Sequence, residues 1–392
     1  MYKHLYQHFL DANPGVQHFA CHSHHYWPDI TRQAMLDYWD DSANRVDEKW
    51  DYLFSEKIPA VQQKIAQLLN TGQPQQLVFA PNTHELLFRI ISCLDLSKPL
   101  RILTTDSEFH SFNRQVTRLE ELTNVIVDRV ACLPFESFES RFIQQAQQHQ
   151  YDLTFVSQVF FNSGLAIINL NQLVDAIHQP NSITVIDGYH GFMALPTDLA
   201  MIKDKVFYLA GSYKYAQGGE GCCFAHVPQN CQLRPLYTGW FAEFGELDKA
   251  NSGEVNYATN AMRFAGSTMD FAALYRLDAV LTLFADLSLS IENIHQYVKV
   301  LQAAFLQHIE SLRHTQLNPD NLLQTDKNHH GHFLTFRLQD NRQVAELALY
   351  LKQHNIITDY RGDRLRFGFA LYHNVEDYDL GCLQFHQGRD NG

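Results

Sequence analysis

The sequence of 392 residues lacks any long uninterrupted hydrophobic run. No segment reaches the roughly 18 consecutive apolar residues that a membrane-spanning helix needs, and the first ten residues do not resemble a secretory signal. Lysine and arginine total 30 against 43 aspartates and glutamates, which gives a net charge of −13. No stretch combines basic residues with aromatics, as a phosphate-tracking surface would. We therefore expect a cytoplasmic protein with neither a membrane nor a nucleic acid as partner.

Cysteine is also scarce, and its distribution argues against a disulfide framework. The seven cysteines are odd in number and scattered through apolar segments, which indicates reduced thiols. The histidines of the segment from His22 to His25 have no carboxylate or thiolate at metal-ligand spacing beside them, so we predict no metal site. We find no internal repeat and no low-complexity tract.

Short apolar runs alternate with helix-like stretches from about residue 60 to about residue 285, which is typical of a parallel sheet with crossover helices. Seven strand candidates predict an α/β fold with a large, mainly parallel sheet. They are Gln76–Phe79, Leu100–Leu103, Asn124–Val127, Leu153–Val156, Ile183–Ile186, Val206–Leu209 and Cys222–Ala225.

The rest of the chain predicts smaller units around this sheet. Residues 269–312 have the apolar spacing of one or two long helices, and the tail alternates as a small α+β unit. The expected division is 1–50 as an N-terminal segment, 51–285 as the large domain and 286–392 as the small domain. We expect the N-terminal segment, with a helix over residues 31–50, to pack on the small unit or to reach over the active-site mouth.

Lys214 and Asp187 form the most informative pair in the sequence. Asp187 ends the apolar run that begins at Ile183, and Lys214 follows the next predicted strand, just before glycines 218, 219 and 221. Open α/β sheets place ligand-binding groups at the carboxyl ends of their strands. An amine that holds an aldehyde as a Schiff base, with a carboxylate that keeps a ring nitrogen protonated, is what a pyridoxal phosphate enzyme needs.

The segment Asp187-Gly-Tyr-His190, followed by Ser212-Tyr-Lys214 and Gly218-Gly-Glu-Gly221, resembles kynureninase. More broadly, the chain resembles the class V aminotransferase group of fold-type I pyridoxal phosphate enzymes, from about residue 76 to the C-terminus. The resemblance implies a fold-type I large domain, a small C-terminal domain and pyridoxal 5′-phosphate as the cofactor.

The same resemblance implies roles for residues around the cofactor. Lys214 is implied to be the Schiff-base lysine, Asp187 the partner of the pyridinium nitrogen, and His190 a neighbour of the phenolic oxygen or the phosphate. The other implied contacts are Thr83 and His84 at a helix N-terminus, Phe109 or His110 on the ring, Ser157 facing the 3-oxygen, Tyr213 at the phosphate, and Ser267 or Thr268 from a neighbouring subunit. The last pair implies a homodimer with shared active sites.

The substrate is implied to be a small amino acid. Arg366 is implied to bind its α-carboxylate, since a guanidinium suits bidentate carboxylate binding. Asn162 and Trp240 are implied to lie beside the substrate, and we predict that His22 faces it from the N-terminal segment.

Several reactions remain open, because the cofactor chemistry alone allows more than one. The resemblance favours a kynureninase-like hydrolase or lyase that cleaves a side-chain carbon bond, with Lys214 removing the Cα proton. The alternatives are a class V aminotransferase, another lyase or epimerase, and a non-catalytic binding protein on the same scaffold.

Overall fold

The computed structural model describes residues 2–244, 253–324 and 326–386. The strands, in chain order, are β1 (Gln17–His18), β2 (Leu77–Ala80), β3 (Leu100–Thr105), β4 (Val125–Val130), β5 (Leu153–Ser157), β6 (Ile183–Asp187), β7 (Phe207–Gly211), β8 (Cys223–His226), β9 (Phe333–Arg337), β10 (Ile356–Ile357), β11 (Asp359–Arg361) and β12 (Arg364–Gly368). The helices are α1 (Gln7–Ala12), α2 (Ile30–Arg45), α3 (Lys49–Tyr52), α4 (Ile58–Leu68), α5 (Thr83–Ile91), α6 (His110–Glu120), α7 (Phe138–Ala146), α8 (Leu170–Ile177), α9 (Ala272–Asp286), α10 (Ile291–Leu312) and α11 (Asn341–Gln353).

The large sheet has seven strands in the order β2-β8-β7-β6-β5-β3-β4. Strands β3 to β7 pair in parallel, whereas β8 runs antiparallel between β2 and β7. The central strands β5 and β7 are buried along their whole length, as expected for strands covered on both faces by helices. The predicted α/β fold with a mainly parallel seven-stranded sheet is confirmed.

Helix boundaries differ from the sequence-based expectation at residues that adopt a positive φ. The helix predicted over residues 31–50 ends at Arg45, because Val46 has a φ of +48°, and a short 3₁₀ turn and α3 follow. The region 269–312 forms two helices, α9 and α10. Ser288, with a φ of +52°, lies between them, and Ser290 caps α10 with a capping box.

The C-terminal unit is a three-stranded antiparallel sheet in the order β11-β12-β9, with α11 between β9 and β11 in sequence. It has a separate hydrophobic core, which includes Phe305, Phe336 and Phe367, and the N-terminal Phe19 packs into that core. Strand β1 pairs in parallel with β10. The N-terminal segment therefore packs on the small unit, and its next residues, Ser23 and His24, line a cavity at the carboxyl ends of the large sheet's strands.

Within the described part of the chain, no helix combines the length and the hydrophobicity needed to cross a membrane.

Candidate active site

Lys214 lies in a tight loop that follows β7. The Ser212 hydroxyl donates to the carbonyl of Gly219 at 2.5 Å, and the Gly218 amide donates to the carbonyl of Ser212 at 2.8 Å. Gly219 has a φ of +72°, and a Cβ there would lie 2.5 Å from the Trp27 ring. Glycine at this position therefore allows both the left-handed turn and the close approach of the N-terminal segment.

The side chain of Lys214 faces a cavity of about 350 Å³. The cavity is lined by Ser23, His24, Asn82, Thr83, His84, Phe109, Ser111, Ser157, Val159, Phe161, Asp187, Tyr189, His190, Tyr213, Lys214 and Arg361. Most of the predicted cofactor-binding residues, drawn from five separate segments of the sequence, thus meet at one place.

The amine of Lys214 is positioned for reaction with an aldehyde. Its Nζ lies 2.6 Å from His190 Nε2. Burial, followed by the positive charge of Arg366, lowers the pKa of Lys214 to about 7, so a large fraction of the amine is unprotonated at neutral pH. An unprotonated amine is the nucleophilic form. Burial, followed by the charge of Lys214, also lowers the pKa of His190 well below its ordinary value, so the imidazole is neutral.

Asp187 lies at the carboxyl end of β6, on the floor of the same cavity. Its Oδ1 accepts a hydrogen bond from the Tyr189 amide at 2.9 Å. Burial raises its pKa, and this effect is opposed by the Tyr189 hydrogen bond and by the charge of Lys214. A half-buried carboxylate that lines the cavity is suited to hold the N⁺–H group of a bound heterocycle.

The N-terminus of α5 supplies donors for an anion. Asn82 is its N-cap, and the Asn82 side chain accepts from the Glu85 amide at 2.9 Å. Thr83 and His84, in the first turn, line the cavity, where the helix dipole favours negative charge. Tyr213 lines the same cavity, and its hydroxyl is bonded to His24 Nδ1.

Two aromatic residues that sequence reasoning left as alternatives are separated in the structure. The ring of Phe109 lines the cavity, with its centroid 5.6 Å from Lys214 Nζ, and it packs edge to face on Phe161, with the two ring centroids 5.3 Å apart. His110 begins α6 and lines a neighbouring crevice with Arg114 and Arg118 instead. The geometry therefore brings Phe109, not His110, to Lys214.

Ser157, at the end of β5, is held by a buried acid that sequence reasoning missed. The Ser157 hydroxyl donates to Glu108 Oε2 at 2.5 Å, its amide donates to Oε1 at 3.2 Å, and Thr105 Oγ1 donates to Oε1 at 2.7 Å. Glu108 is 5% exposed. Burial is the main cause that raises its pKa to about 8. The available signal was an acidic residue three positions after the end of β3, in a segment that follows an apolar run.

Arg366 lies behind the cavity wall, and its guanidinium already has partners. Nη1 donates to the carbonyl of Phe161 and Nη2 donates to the Asp359 carboxylate. The side chain is 3% exposed, and burial lowers its pKa to about 10, against the opposing charge of Asp359. Arg361, which also contacts Asp359, at 3.2 Å, lines the cavity itself. Sequence reasoning missed Asp359.

Of the other two predicted substrate contacts near Arg366, Asn162 is half-buried and His22 is buried. The Asn162 carbonyl accepts from Arg364 Nη1 at 3.1 Å, while its side-chain oxygen has no partner among the described residues. His22 is fully buried, stacked on Phe333 at 4.6 Å, and neither ring nitrogen has a hydrogen-bond partner there. Neither side chain lines the cavity directly.

Trp240, Ser267 and Thr268 are not brought to the Lys214 cavity of their own chain. Trp240 packs on Trp50 and Phe241, and the Phe241 amide donates to the carbonyl of Gly266 at 3.0 Å. Ser267 and Thr268 follow that glycine and are exposed. These three residues form one surface that is separate from the cavity.

Among the described residues, no group of three or more histidine, cysteine, aspartate or glutamate side chains is arranged to hold a metal ion. The donor set of the cavity fits pyridoxal phosphate, because it combines a largely unprotonated amine, a half-buried carboxylate, an aromatic ring and a capped helix N-terminus. The observation that decides the fit is that Lys214 and Asp187 line the same cavity, with the Lys214 amine 2.6 Å from His190 Nε2; the lowered pKa of Lys214 favours the unprotonated amine that adds to an aldehyde.

Comparisons with known proteins agree with this fit. A cysteine desulfurase of Cronobacter sakazakii is 22% identical over 277 residues, which cover 67% of this chain and 64% of that relative. The chain therefore spans slightly less than two thirds of the relative's length.

Solved structures with the same fold include the cysteine desulfurase CsdA from Escherichia coli, with 15% identity, a TM-score of 0.78 and coverage of 97% of this chain and 96% of that one. The cystine C-S lyase C-DES, in complex with its reaction product cysteine persulfide, has 16% identity, a TM-score of 0.78 and coverage of 94% and 96%. These comparisons do not support the narrower resemblance to kynureninase. The profile of the aminotransferase class-V family matches residues 28–375, and this chain belongs to that family of pyridoxal phosphate-dependent enzymes.

Proposed function

We propose that the protein is a pyridoxal phosphate-dependent lyase that breaks a side-chain bond of a small amino acid. The observation that carries the proposal is the Lys214 amine, which lies 2.6 Å from a neutral imidazole in a cavity that also contains Asp187. The pKa of Lys214, lowered to about 7, suits both addition to an aldehyde and proton transfer at neutral pH.

Bound pyridoxal phosphate supplies an electron sink that stabilises negative charge on the substrate Cα. The chain's own residues divide the remaining work. Asp187 holds the proton on the ring nitrogen, and Phe109 covers one face of the ring. Lys214 Nζ removes the proton from the substrate Cα and can return it to a neighbouring carbon, and His190 Nε2 orients that amine by hydrogen bonding.

The phosphate of the cofactor would bind at the N-terminus of α5, where Thr83 and His84 line the cavity. The amides of the first turn, with Thr83 and His84, provide hydrogen-bond donors and the positive end of the helix dipole. Tyr213 completes this end of the cavity. Ser157 faces the cofactor from β5, and its hydroxyl is oriented by Glu108.

An amino-acid substrate is supported by the arginines beside the cavity. Arg366 is the proposed carboxylate contact, and Arg361 lines the entrance. Both share Asp359 as a counter-ion, so one positive charge is left for one substrate carboxylate. Asn162 and His22, which pack near Arg366, are proposed to shape this part of the site.

The choice of a lyase, rather than an aminotransferase, follows the relatives. Cysteine desulfurase and cystine C-S lyase both act on sulfur amino acids by name. No cysteine is among the residues that line the described cavity, so a mechanism that leaves sulfur on the product suits this chain better than transfer to an enzyme thiol. Hydrolysis of a Cβ–Cγ bond, as in kynureninase, is the narrower form of the proposal, and Trp240 would then have to come from a neighbouring subunit.

Trapping the cofactor tests the first part of the proposal. Reduction of the protein–cofactor complex with borohydride, followed by peptide mass spectrometry, is expected to locate the cofactor on Lys214. The variant Lys214→Ala should lose this adduct and its absorbance near the visible edge, whereas Lys205→Ala, on the surface beside Asp175 at 2.6 Å, should keep both. An adduct at another lysine would contradict the proposal.

The same holoenzyme then tests the reaction. Incubation with cystine is expected to release pyruvate, and incubation with kynurenine to release anthranilate only if the narrower form holds. Reversible conversion of the cofactor to its amine form by an amino acid and a 2-oxo acid, without either product, would identify an aminotransferase instead.

A further inference from the structure

The Asp359 carboxylate, near the active site, accepts hydrogen bonds from four groups. Its Oδ2 accepts from Arg366 Nη2 and from the Ser23 hydroxyl, and the same oxygen lies 3.8 Å from His22 Nε2. Its Oδ1 accepts from the Tyr360 amide at 2.7 Å and from Arg361 at 3.2 Å. The side chain is 17% exposed, so most of its charge is balanced by these neighbours rather than by solvent.

The His22 ring lies beside Asp359 and has no hydrogen-bond partner among the described residues. Both ring nitrogens are buried and lack hydrogen bonds within the described residues, which is costly for a polar group. The charged or titratable groups that surround it are Arg366, His190, Lys214, His18 and Asp359. Burial, followed by the positive charge of Arg366, lowers the pKa of His22 well below its ordinary value, so the ring is neutral and carries one N–H.

We propose that Asp359 is an exchangeable internal ligand, which holds Arg366 until a substrate carboxylate takes that guanidinium and which then accepts a hydrogen bond from His22 Nε2. The carboxylate oxygen needs to move by only about 1 Å to bring the 3.8 Å separation into hydrogen-bonding range. The exchange gives His22 Nε2 a partner and leaves both the Asp359 carboxylate and the Arg366 guanidinium paired. No proton is gained or lost, since neutral His22 donates the N–H it already carries.

The identity of the incoming carboxylate as that of an amino acid rests on the proposed function, whereas the exchange itself does not. Propionate is therefore a suitable probe, because it has a carboxylate but no amine that could react with the cofactor. Its binding to the holoenzyme is measured by calorimetry. A negative borohydride experiment would contradict the proposed function, whereas the propionate measurements would still test whether Asp359 exchanges its partner.

The variant Asp359→Asn removes the internal competitor, so propionate is expected to bind about tenfold more tightly. If Asp359 instead only holds Arg366 in position, binding becomes equal or weaker, and the proposal fails. The variant His22→Phe keeps a ring stacked on Phe333 but removes the N–H, and it is expected to weaken binding about tenfold.

The double variant provides the sharpest outcome. With Asp359→Asn already present, His22→Phe should change propionate affinity by less than about twofold, because the two residues act as a unit. Equal effects of His22→Phe in both backgrounds would overturn the proposal. The matched control is His25→Phe. His25 is another buried histidine of the same segment, and its Nδ1 is hydrogen-bonded to the carbonyl of Tyr26 at 2.6 Å. The effect of His25→Phe on propionate affinity should be the same with or without Asp359→Asn.

A second measurement is independent of the affinity comparison. In protein labelled with ¹⁵N-histidine, propionate should shift one ring-nitrogen signal that is missing in His22→Phe. No shift of that signal at saturating propionate would also overturn the exchange. Circular dichroism and the melting temperature of each variant establish that the folded chain is being compared.

Discussion

At the scale of single residues, the energetics of this site depend on burying groups that prefer to be charged. Lys214 is half-buried, and its pKa falls from 10.5 to about 7. The pKa of Glu108 changes in the other direction and is raised to about 8. Both shifts have burial as their largest cause, and both favour the neutral form. Such opposed shifts around one cavity are typical of a catalytic centre.

The lowered pKa of Lys214 predicts a pH-dependent cost to stability. In the unfolded chain the amine keeps its proton up to about pH 10.5, whereas the folded protein releases it near pH 7. The unfolded state therefore binds more protons between these values, so stability rises with pH across this window, and the full cost is present below about pH 7.

Replacement of Lys214 by methionine should remove this cost. In the cofactor-free protein, we expect Lys214→Met to raise the free energy of unfolding by about 2 kcal/mol at pH 6.5, a value reduced from the full shift because the side chain is partly exposed. The gain should become small near pH 10. Urea denaturation at both pH values measures it, with Lys205→Met as the control, and a gain that is independent of pH would contradict the prediction.

Individual residues also explain which parts of the site could be predicted from sequence. Lys214, Asp187 and Thr83 stand at the ends of apolar runs, and the carboxyl ends of neighbouring strands must converge, so their meeting follows from the pattern. Glu108 and Asp359 gave no comparable signal. Their importance comes from contacts with Ser157 and Arg366, which are far away in sequence.

At the scale of secondary structure elements, α5 combines a structural role with a binding role at the same end. Asn82 satisfies the Glu85 amide, and Thr83 and His84 of the same turn line the cavity. Arg89, later in the helix, donates to the carbonyl of Phe264 at 3.3 Å and pairs with Glu85 at 2.6 Å. The helix therefore connects the proposed phosphate site to the segment that contains Ser267.

Removal of the Asn82 cap should affect stability and cofactor binding together. Asn82→Ala is expected to cost about 1 kcal/mol of stability and to weaken pyridoxal phosphate binding several-fold, because the first turn of α5 frays. A cofactor titration followed by absorbance measures the second effect.

Asn169 provides the matched control for this prediction. It caps α8, where its side chain accepts from the Gln172 amide at 3.1 Å. Asn169→Ala should cost a similar amount of stability without changing cofactor affinity. Equal losses of cofactor affinity in both variants would show that the effect of Asn82 is a general loss of stability.

The elements themselves were predictable to different degrees. The strands of the large sheet were recognisable because a strand buried on both faces is a short continuous apolar run. The end of α2 was not, because Val46 adopts a left-handed conformation that its residue type disfavours. The pairing of β1 with β10 was also hidden, since two-residue strands have no periodicity.

At the scale of the whole molecule, the N-terminal segment joins the two halves of the chain around the cavity. Phe19 is part of the small core, Trp27 packs against Gly219, and Tyr6 donates to Gln217 at 2.5 Å. Ser23 and His24 lie between these contacts and form part of the cavity wall. Domain limits at residues 50 and 285 remain a proposal, and these contacts favour treating residues 1–50 as a connecting segment.

The surface around Ser267 supports the proposed homodimer. Phe88, Leu236, Tyr237 and Trp240 are exposed, with Leu236 at 80% and Tyr237 at 49%, and the rings of Phe88 and Tyr237 are 5.2 Å apart. Exposed apolar side chains grouped in this way are typical of protein interfaces. Ser267 and Thr268 lie outside the cavity of their own chain, and we propose that in a symmetric dimer they contact the phosphate of the other subunit.

Mixing of defective subunits tests this arrangement. Lys214→Ala chains and Ser267→Ala/Thr268→Ala chains are each expected to bind little cofactor at limiting concentration. In random hybrids, the site that has Lys214 on one chain and Ser267 and Thr268 on the other is intact, so about one quarter of all sites should recover. Borohydride trapping on Lys214 counts the recovered sites.

Mixing Lys214→Ala with Asp187→Ala chains is the control, because both residues belong to the same cavity and no hybrid has a complete site. Recovery in that control, or none in the first mixture, would contradict sites shared between subunits.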